Sequence, residues 1–211
     1  MSYSIKEIYY TLQGEGVHTG RPAIFVRFSG CNLWSGYEEH RSDAICKFCD
    51  TDFLGTDGPN WDKFTDAASV ASKARQLWPE TSNSRPFTVC TGGEPLLQLD
   101  KTLVDAFHEA GFEVAIETNG TMEAPNGIDW ICVSPKANTE LVLKSGNELK
   151  LVFPQESLDP KDFLNMDFEY FRLQPKAGPN QSENTRLAVQ YCLQHPQWTL
   201  SLQTHKILNI P

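Results

Sequence analysis

Residues 86–95 read Pro-Phe-Thr-Val-Cys-Thr-Gly-Gly-Glu-Pro: a short apolar run, Pro86–Cys90, that stops abruptly in Thr91-Gly92-Gly93-Glu94-Pro95. A run of this length and composition reads as a buried strand, and the Gly-Gly pair followed by Pro marks its end. The same form recurs. Ile5–Tyr10 runs into Thr11-Leu12-Gln13-Gly14-Glu15, Ala23–Phe28 into Ser29-Gly30-Cys31, and Glu113–Ile116 into Glu117-Thr118-Asn119-Gly120. Trp130–Val133 runs into Ser134-Pro135-Lys136, Tyr170–Leu173 into Gln174-Pro175-Lys176, and Thr199–Leu202 into Gln203-Thr204-His205. Helical patterns lie between several of these. Thr65–Trp78 has Thr65 as its N-cap, Leu96–Ala110 stops at Gly111, and Asn184–His195 is ended by Pro196. Strands alternating with helices make a parallel sheet, and the loops after parallel strands all open on one side. Chemistry-bearing residues on so many strand ends therefore predict a site at that end. Eight strand–helix units need roughly 250 residues, and this chain has 211. The expected fold is an α/β, partial TIM-like barrel of parallel strands with fewer than eight helices, forming one domain over residues 1–211.

Composition bounds the function. Hydrophobic residues make up 40% and charged residues 21%, an ordinary globular balance. The formal charge of −9 argues against a nucleic-acid footprint, which needs clustered Lys and Arg. No stretch approaches the 18 or more apolar residues of a membrane helix, and the first residues carry no basic n-region or apolar h-region. A cytoplasmic protein is expected. In that compartment six cysteines are not a disulfide framework.

Cys90, Cys132 and Cys192 sit among apolar neighbours, as small core residues do. Cys31, Cys46 and Cys49 fall instead within one polar, glycine-containing loop, about residues 29–52. Thiolates at 46 and 49 can converge on one metal or cluster. Three readings are open. His40 could complete a closed zinc site, three thiolates could hold a [4Fe–4S] cluster with one iron open to a ligand, or the loop could bind no metal.

Three cysteines after an early strand, Phe48 before the last of them, and Gly92-Gly93-Glu94-Pro95 after a later strand resemble the radical S-adenosylmethionine (SAM) superfamily. The gap of fourteen residues between Cys31 and Cys46 departs from that superfamily's usual three. The expanded gap, Leu12-Gln13-Gly14-Glu15-Gly16 and Cys49-Asp50-Thr51 are together similar to its 7-carboxy-7-deazaguanine synthase family. The resemblance implies that Cys31, Cys46 and Cys49 hold a [4Fe–4S] cluster, from which one electron cleaves SAM to a hydrogen-abstracting radical. It implies SAM contacts from Phe48, Cys49 and Asp50, from Gly92, and from Glu117 and Asn119. Ser134, Pro135 and Lys136 would follow, with Gln174, Pro175, Lys176 and Ala177 closing over the cofactor.

The substrate so implied is 6-carboxy-5,6,7,8-tetrahydropterin, contracted to 7-carboxy-7-deazaguanine with loss of ammonia, a step of queuosine and 7-deazapurine biosynthesis. Leu12, Gln13, Gly14, Arg27, Cys90 and Pro211 are its expected contacts. Arg27, inside an apolar strand, suits a carboxylate. Glu15, Glu117 and His205 are candidate catalytic groups, and Thr51 is the expected Mg²⁺ position. A flavodoxin- or ferredoxin-like electron donor and a homodimer are implied as well. The rivals are another radical-SAM enzyme, such as a glycyl-radical activase, and a zinc-stabilised binding module.

Overall fold

Nine strands form one sheet in the computed structural model, which describes residues 2–81 and 83–211. They are β1 (Tyr3–Leu12), β2 (Pro22–Phe28), β3 (Asp62–Phe64), β4 (Phe87–Gly92), β5 (Glu113–Thr118), β6 (Trp130–Val133), β7 (Ser145–Phe153), β8 (Asp167–Pro175) and β9 (Trp198–Leu200). Four α-helices accompany them: α1 (Ala67–Leu77), α2 (Lys101–Glu109), α3 (Gln181–Gln194) and α4 (Thr204–Leu208). The spatial order is β3-β1-β2-β4-β5-β6-β7-β8-β9, and the sheet stays open between β3 and β9. From β2 to β9 every neighbouring pair is parallel. This is the mostly parallel α/β architecture expected of a partial barrel.

Two pairings differ from the all-parallel expectation. β1 runs antiparallel to β2, and β3 antiparallel to β1. The segment joining β1 to β2, residues 13–21, is too short for the crossover of a dozen or more residues that a parallel pair requires. The first two helices begin later than the pattern suggested, and α3 begins three residues earlier, at Gln181 rather than Asn184. Asp66, not Thr65, caps α1, its side chain accepting from Ser69 N–H. The Leu96–Ala110 pattern divides into a 3-10 turn at Pro95–Leu97 and α2, which Asp100 caps. β7 and β3 have no counterpart among the expected strands.

Side chains on a strand alternate between its faces. One face of this sheet carries Ile24, Val26 and Phe28 of β2, Ile116 of β5, Leu149 and Leu151 of β7 and Leu173 of β8. They pack against Val70 and Ala74 of α1, Leu103 and Phe107 of α2, and Ala188 of α3 in one core. The intervening residues, Arg27, Glu117, Lys150 and Gln174, therefore turn to the opposite, inner face. Residues 13–21 lie across that face instead of a helix. Gly16 N–H donates to Ser201 Oγ (2.9 Å) and Val17 N–H to Glu148 Oε2 (3.1 Å). Arg21 clasps Glu113 through both nitrogens while stacking on Phe87, and the His18 ring meets Phe87 and Trp130 edge-on. Among the described residues no helix is long and apolar enough to cross a membrane.

Candidate active site

The Gly-Gly pair after β4 is required by a close approach. Gly92 has φ +141°, and a Cβ there would lie 2.3 Å from the Phe28 carbonyl oxygen. A Cβ on Gly93 would come within 2.1 Å of the Gly30 carbonyl oxygen and 2.7 Å of Cys31 Cβ. The end of β4 thus lies directly against the chain leaving β2 for the cysteine loop. Glu94, fully buried, then braces the next strand end. Its carboxylate accepts from Leu96 N–H, Thr118 Oγ1 (2.7 Å) and Asn119 N–H (2.8 Å). Burial raises its pKa against these donors. Asn119 in turn donates from Nδ2 to Asn32 Oδ1 (2.9 Å), linking β5 to the cysteine loop.

Cys31, Cys46 and Cys49 line one recess, whose opposite wall is made by the ends of β4 to β8. Of the residues expected to meet SAM, Phe48, Asp50, Gly92, Glu117, Asn119, Ser134, Lys136, Gln174, Pro175 and Ala177 line it too. Pro135 and Lys176 do not. Pro135 is buried, its carbonyl accepting from Gln155 Nε2, and Lys176 Nζ stands 6.0 Å from the Phe48 ring centre. Lys136 Nζ is turned back onto Ser134, at 2.6 Å from its carbonyl oxygen and 2.7 Å from Oγ. Cys31 and Cys49 pack on a small apolar cluster of Trp34, Ala44 and Phe53, and Leu33 N–H donates to Cys31 Sγ (3.4 Å).

The donor set suits a cluster better than a zinc ion. His40 is exposed, with Nδ1 on Ser35 Oγ, and takes no part in the recess. Among the described residues no three His, Cys, Asp or Glu side chains are gathered at single-ion spacing. A tetrahedral zinc site, with bonds of about 2.0–2.3 Å, needs such gathering. Three thiols around a wider recess, with an apolar shield behind them and polar strand ends in front, fit an iron–sulfur cluster with a ligand on its open side.

A second recess adjoins the first. Leu12, Gln13, Gly14, Arg27 and Pro211, the residues assigned to the substrate, line it together with His205. Arg27 is held in place: Nε donates to Glu7 Oε1 (2.7 Å) and Nη2 to the Tyr9 hydroxyl (2.8 Å). Cys90 departs from expectation. Its side chain is wholly buried in the helix-covered core, and Thr91, one residue on and on the other face, lines both recesses. A one-residue step along a strand exchanges the faces.

Glu15, Asp50, Thr51, Thr91, Glu117 and Gln203 belong to both recesses and form the seam between them. Lys150 Nζ bridges Glu15 Oε2 (2.7 Å) and Glu117 Oε2 (2.8 Å) beneath that seam. Gln13 Nε2 donates to Glu117 Oε1 (3.2 Å) and Gln203 Nε2 to Glu15 Oε1 (2.9 Å). Burial works against ionisation of Glu15, but the Lys150 ammonium outweighs it and holds the carboxyl down to about 2. Burial lowers the pKa of His205. Lys206 makes an ion pair with Asp50, fastening α4 to the cysteine loop.

No family model matches the chain. Curated relatives match along its whole length. It is 59% identical over 211 residues to the 7-carboxy-7-deazaguanine synthase of Burkholderia multivorans and 58% identical over 211 residues to that of Caulobacter vibrioides, each alignment covering 100% of both chains. The crystal structure of QueE from Escherichia coli superposes with a TM-score of 0.72 at 31% identity, covering 96% of this chain and 94% of that one.

The chain belongs to the 7-carboxy-7-deazaguanine synthase family.

A 7-carboxy-7-deazaguanine synthase is a radical-SAM enzyme, so membership implies a [4Fe–4S] cluster and SAM, in keeping with the cysteine-lined recess. It sets aside the zinc module and the glycyl-radical activase. Among the recess-lining residues that escaped the sequence reading are Lys150, Thr91 and Gln203. Lys150 carried the same signal as Arg27, a charge inside an apolar run, Leu149-Lys150-Leu151-Val152. Thr91 and Gln203 lay in strand ends already singled out, and only the face each presents separates them from their neighbours.

Proposed function

We infer that this chain converts 6-carboxy-5,6,7,8-tetrahydropterin to 7-carboxy-7-deazaguanine with loss of ammonia, using SAM catalytically. The observation that carries the reading is the adjacency of two recesses, one lined by three cysteines and the other by Arg27, that share a polar seam. Cys31, Cys46 and Cys49 would hold the cluster. When bound, cluster and SAM supply the one-electron chemistry that removes hydrogen from the substrate carbon bearing the carboxylate.

The chain's own part is binding, orientation and exclusion of water. Arg27, fixed by Glu7 and Tyr9, presents a guanidinium to the substrate carboxylate. Gln13 and the backbone of Leu12 and Gly14 offer hydrogen-bonding groups to the pterin edge, and Pro211 borders the same recess. Gly92, Asn119, Ser134 and Gln174 face the SAM side, with Glu117 reaching both. Trp34 and Phe53 keep solvent from the cysteines. Thr51, on the seam, is where Mg²⁺ would meet both protein and substrate oxygen, since that ion takes few protein ligands. A flavodoxin- or ferredoxin-like protein would supply the electron, and a cytoplasmic homodimer is the working form in this reading.

The test is an anaerobic reaction of iron-reconstituted protein with SAM, reductant, Mg²⁺ and the carboxytetrahydropterin, read by mass spectrometry. SAM-dependent appearance of the carboxydeazaguanine mass is expected. Accumulation of 5′-deoxyadenosine and methionine alone would retain the radical-SAM chemistry and reject the substrate.

A further inference from the structure

Lys150 is deeply enclosed by the inner face: its side chain is 5% exposed, against 18% and 19% for Glu15 and Glu117. The two carboxylates come from separate parts of the chain, residues 13–21 and β5, and Lys150 on β7 is the contact they share. We propose that Lys150 is a positioning residue, whose ammonium group fixes the Glu15 and Glu117 carboxylates at the seam as hydrogen-bond acceptors for the two bound molecules. The proposal deepens the reading above and rests on it for the identity of those molecules.

The argument is electrostatic. Two carboxylates brought together away from water cannot both stay charged unless a cation lies between them; otherwise one takes up a proton. A protonated carboxyl becomes a donor and loses acceptor capacity, so the seam would offer the wrong pattern to N–H and O–H groups of a ligand. The other groups facing Lys150 do not replace it. Glu148, on the same strand, and Cys132, from β6, add no positive charge. Lys136 is turned onto Ser134, Arg172 faces Glu148, and His205, which faces Glu15, is biased toward its neutral form by burial. One cation thus serves two acids, and Glu15 would not act as the proton donor of the reaction.

Lys150→Met and Lys150→Arg separate this from a packing role. In cluster-loaded protein without substrate, infrared difference spectra of Lys150→Met against wild type should show an added protonated carboxyl band, growing as pH falls from about 8 to about 6 and lost again in the double variant Glu15→Gln, Lys150→Met. Turnover of the same variant should fall about a hundredfold or more, with an added limb that loses activity toward low pH. Lys150→Arg should recover most of the activity and show no added band. The double variant Glu15→Gln, Lys150→Met, with no bare pair of acids, should fold and lack the added limb. A band absent from Lys150→Met, a pH profile superimposable on wild type, or an arginine variant no better than methionine would each overturn the proposal. The infrared signal does not depend on which substrate is turned over, so its failure and that of the substrate reading are distinct.

Discussion

On β7, Leu149 and Leu151 are sealed in the helix-covered core, while Glu148 and Lys150, alternating with them, are buried just as deeply on the inner face. The same backbone thus supports two interiors built on different rules. The helix-covered side is held by apolar area and close packing, where any residue of the right shape will serve. The inner side is held by charge-assisted hydrogen bonds whose partners come from distant segments, Lys150 to Glu15 across 135 residues and Gln203 to Glu15 across 188. Substitutions on the first side should change stability and leave chemistry alone. Substitutions on the second should fall first on chemistry, and on stability only where they unmake an ion pair.

The sharpest attempt to break this division is Cys46→Ser. It should abolish cluster retention, read as iron content after reconstitution, and lower turnover by at least about a thousandfold, with little change in the urea midpoint. Unfolding of the helix-covered core by this one exchange would show that the two interiors are not separable. Phe107→Ala is the converse. Phe107 is fully buried between α2 and the sheet, edge-on to Phe112, and its truncation should cost about 3–5 kcal/mol in urea unfolding. Turnover per folded molecule should be unchanged.

The inner face has its own stability signature, set by pH. Glu15 is held to about 2, well below an unfolded glutamate near 4.3. A lowered pKa adds stability above the unfolded value, and that stability is lost as pH falls between about 4.3 and about 2. The stability advantage of wild type over Glu15→Gln should therefore shrink through that window in acid titrations followed by circular dichroism. An advantage that stays constant would mean that Glu15 is not ionised by its neighbours. Arg27→Lys should be milder. It keeps the charge but loses the planar fork, so KM for the pterin should rise about tenfold to a hundredfold with kcat less affected.

The division also explains what could be read from sequence. Strand ends were legible because an apolar run followed by Gly, Pro or polar residues is a local signal. β7 escaped because it begins Ser145-Gly146-Asn147-Glu148 and is broken by Lys150, so its apolar run looked too short. β3 escaped because Asp62-Lys63-Phe64 carries no strand pattern and owes its conformation to pairing with Tyr3, Ser4 and Ile5. At the site, Arg27 and the three cysteines stood out as residue types foreign to their surroundings. The resemblance points to Cys90, whereas Thr91 faces the recesses, because a strand-end motif fixes a position along the chain but not the face its side chain presents. The Glu15–Lys150–Glu117 contact had no local signal, since its parts meet only when the sheet has formed.

The N-cap of α2 tests the least conspicuous side of the comparison. Asp100 accepts from Leu103 N–H (2.9 Å) and also from the hydroxyl of the buried Tyr3 (2.8 Å), so one carboxylate both starts a helix and ties it to β1. Removing the cap alone costs about 1 kcal/mol in typical helices. Asp100→Ala should cost about 1–2 kcal/mol, since the Tyr3 hydroxyl is left without its acceptor as well. Asp100→Asn keeps an acceptor for both donors and should cost less than half as much. Both variants should turn over substrate at the wild-type rate, because Asp100 lines neither recess. A drop in turnover without a drop in stability would show that the helix-covered face reaches into the site through β1, and the separation of the two interiors would have to be redrawn there.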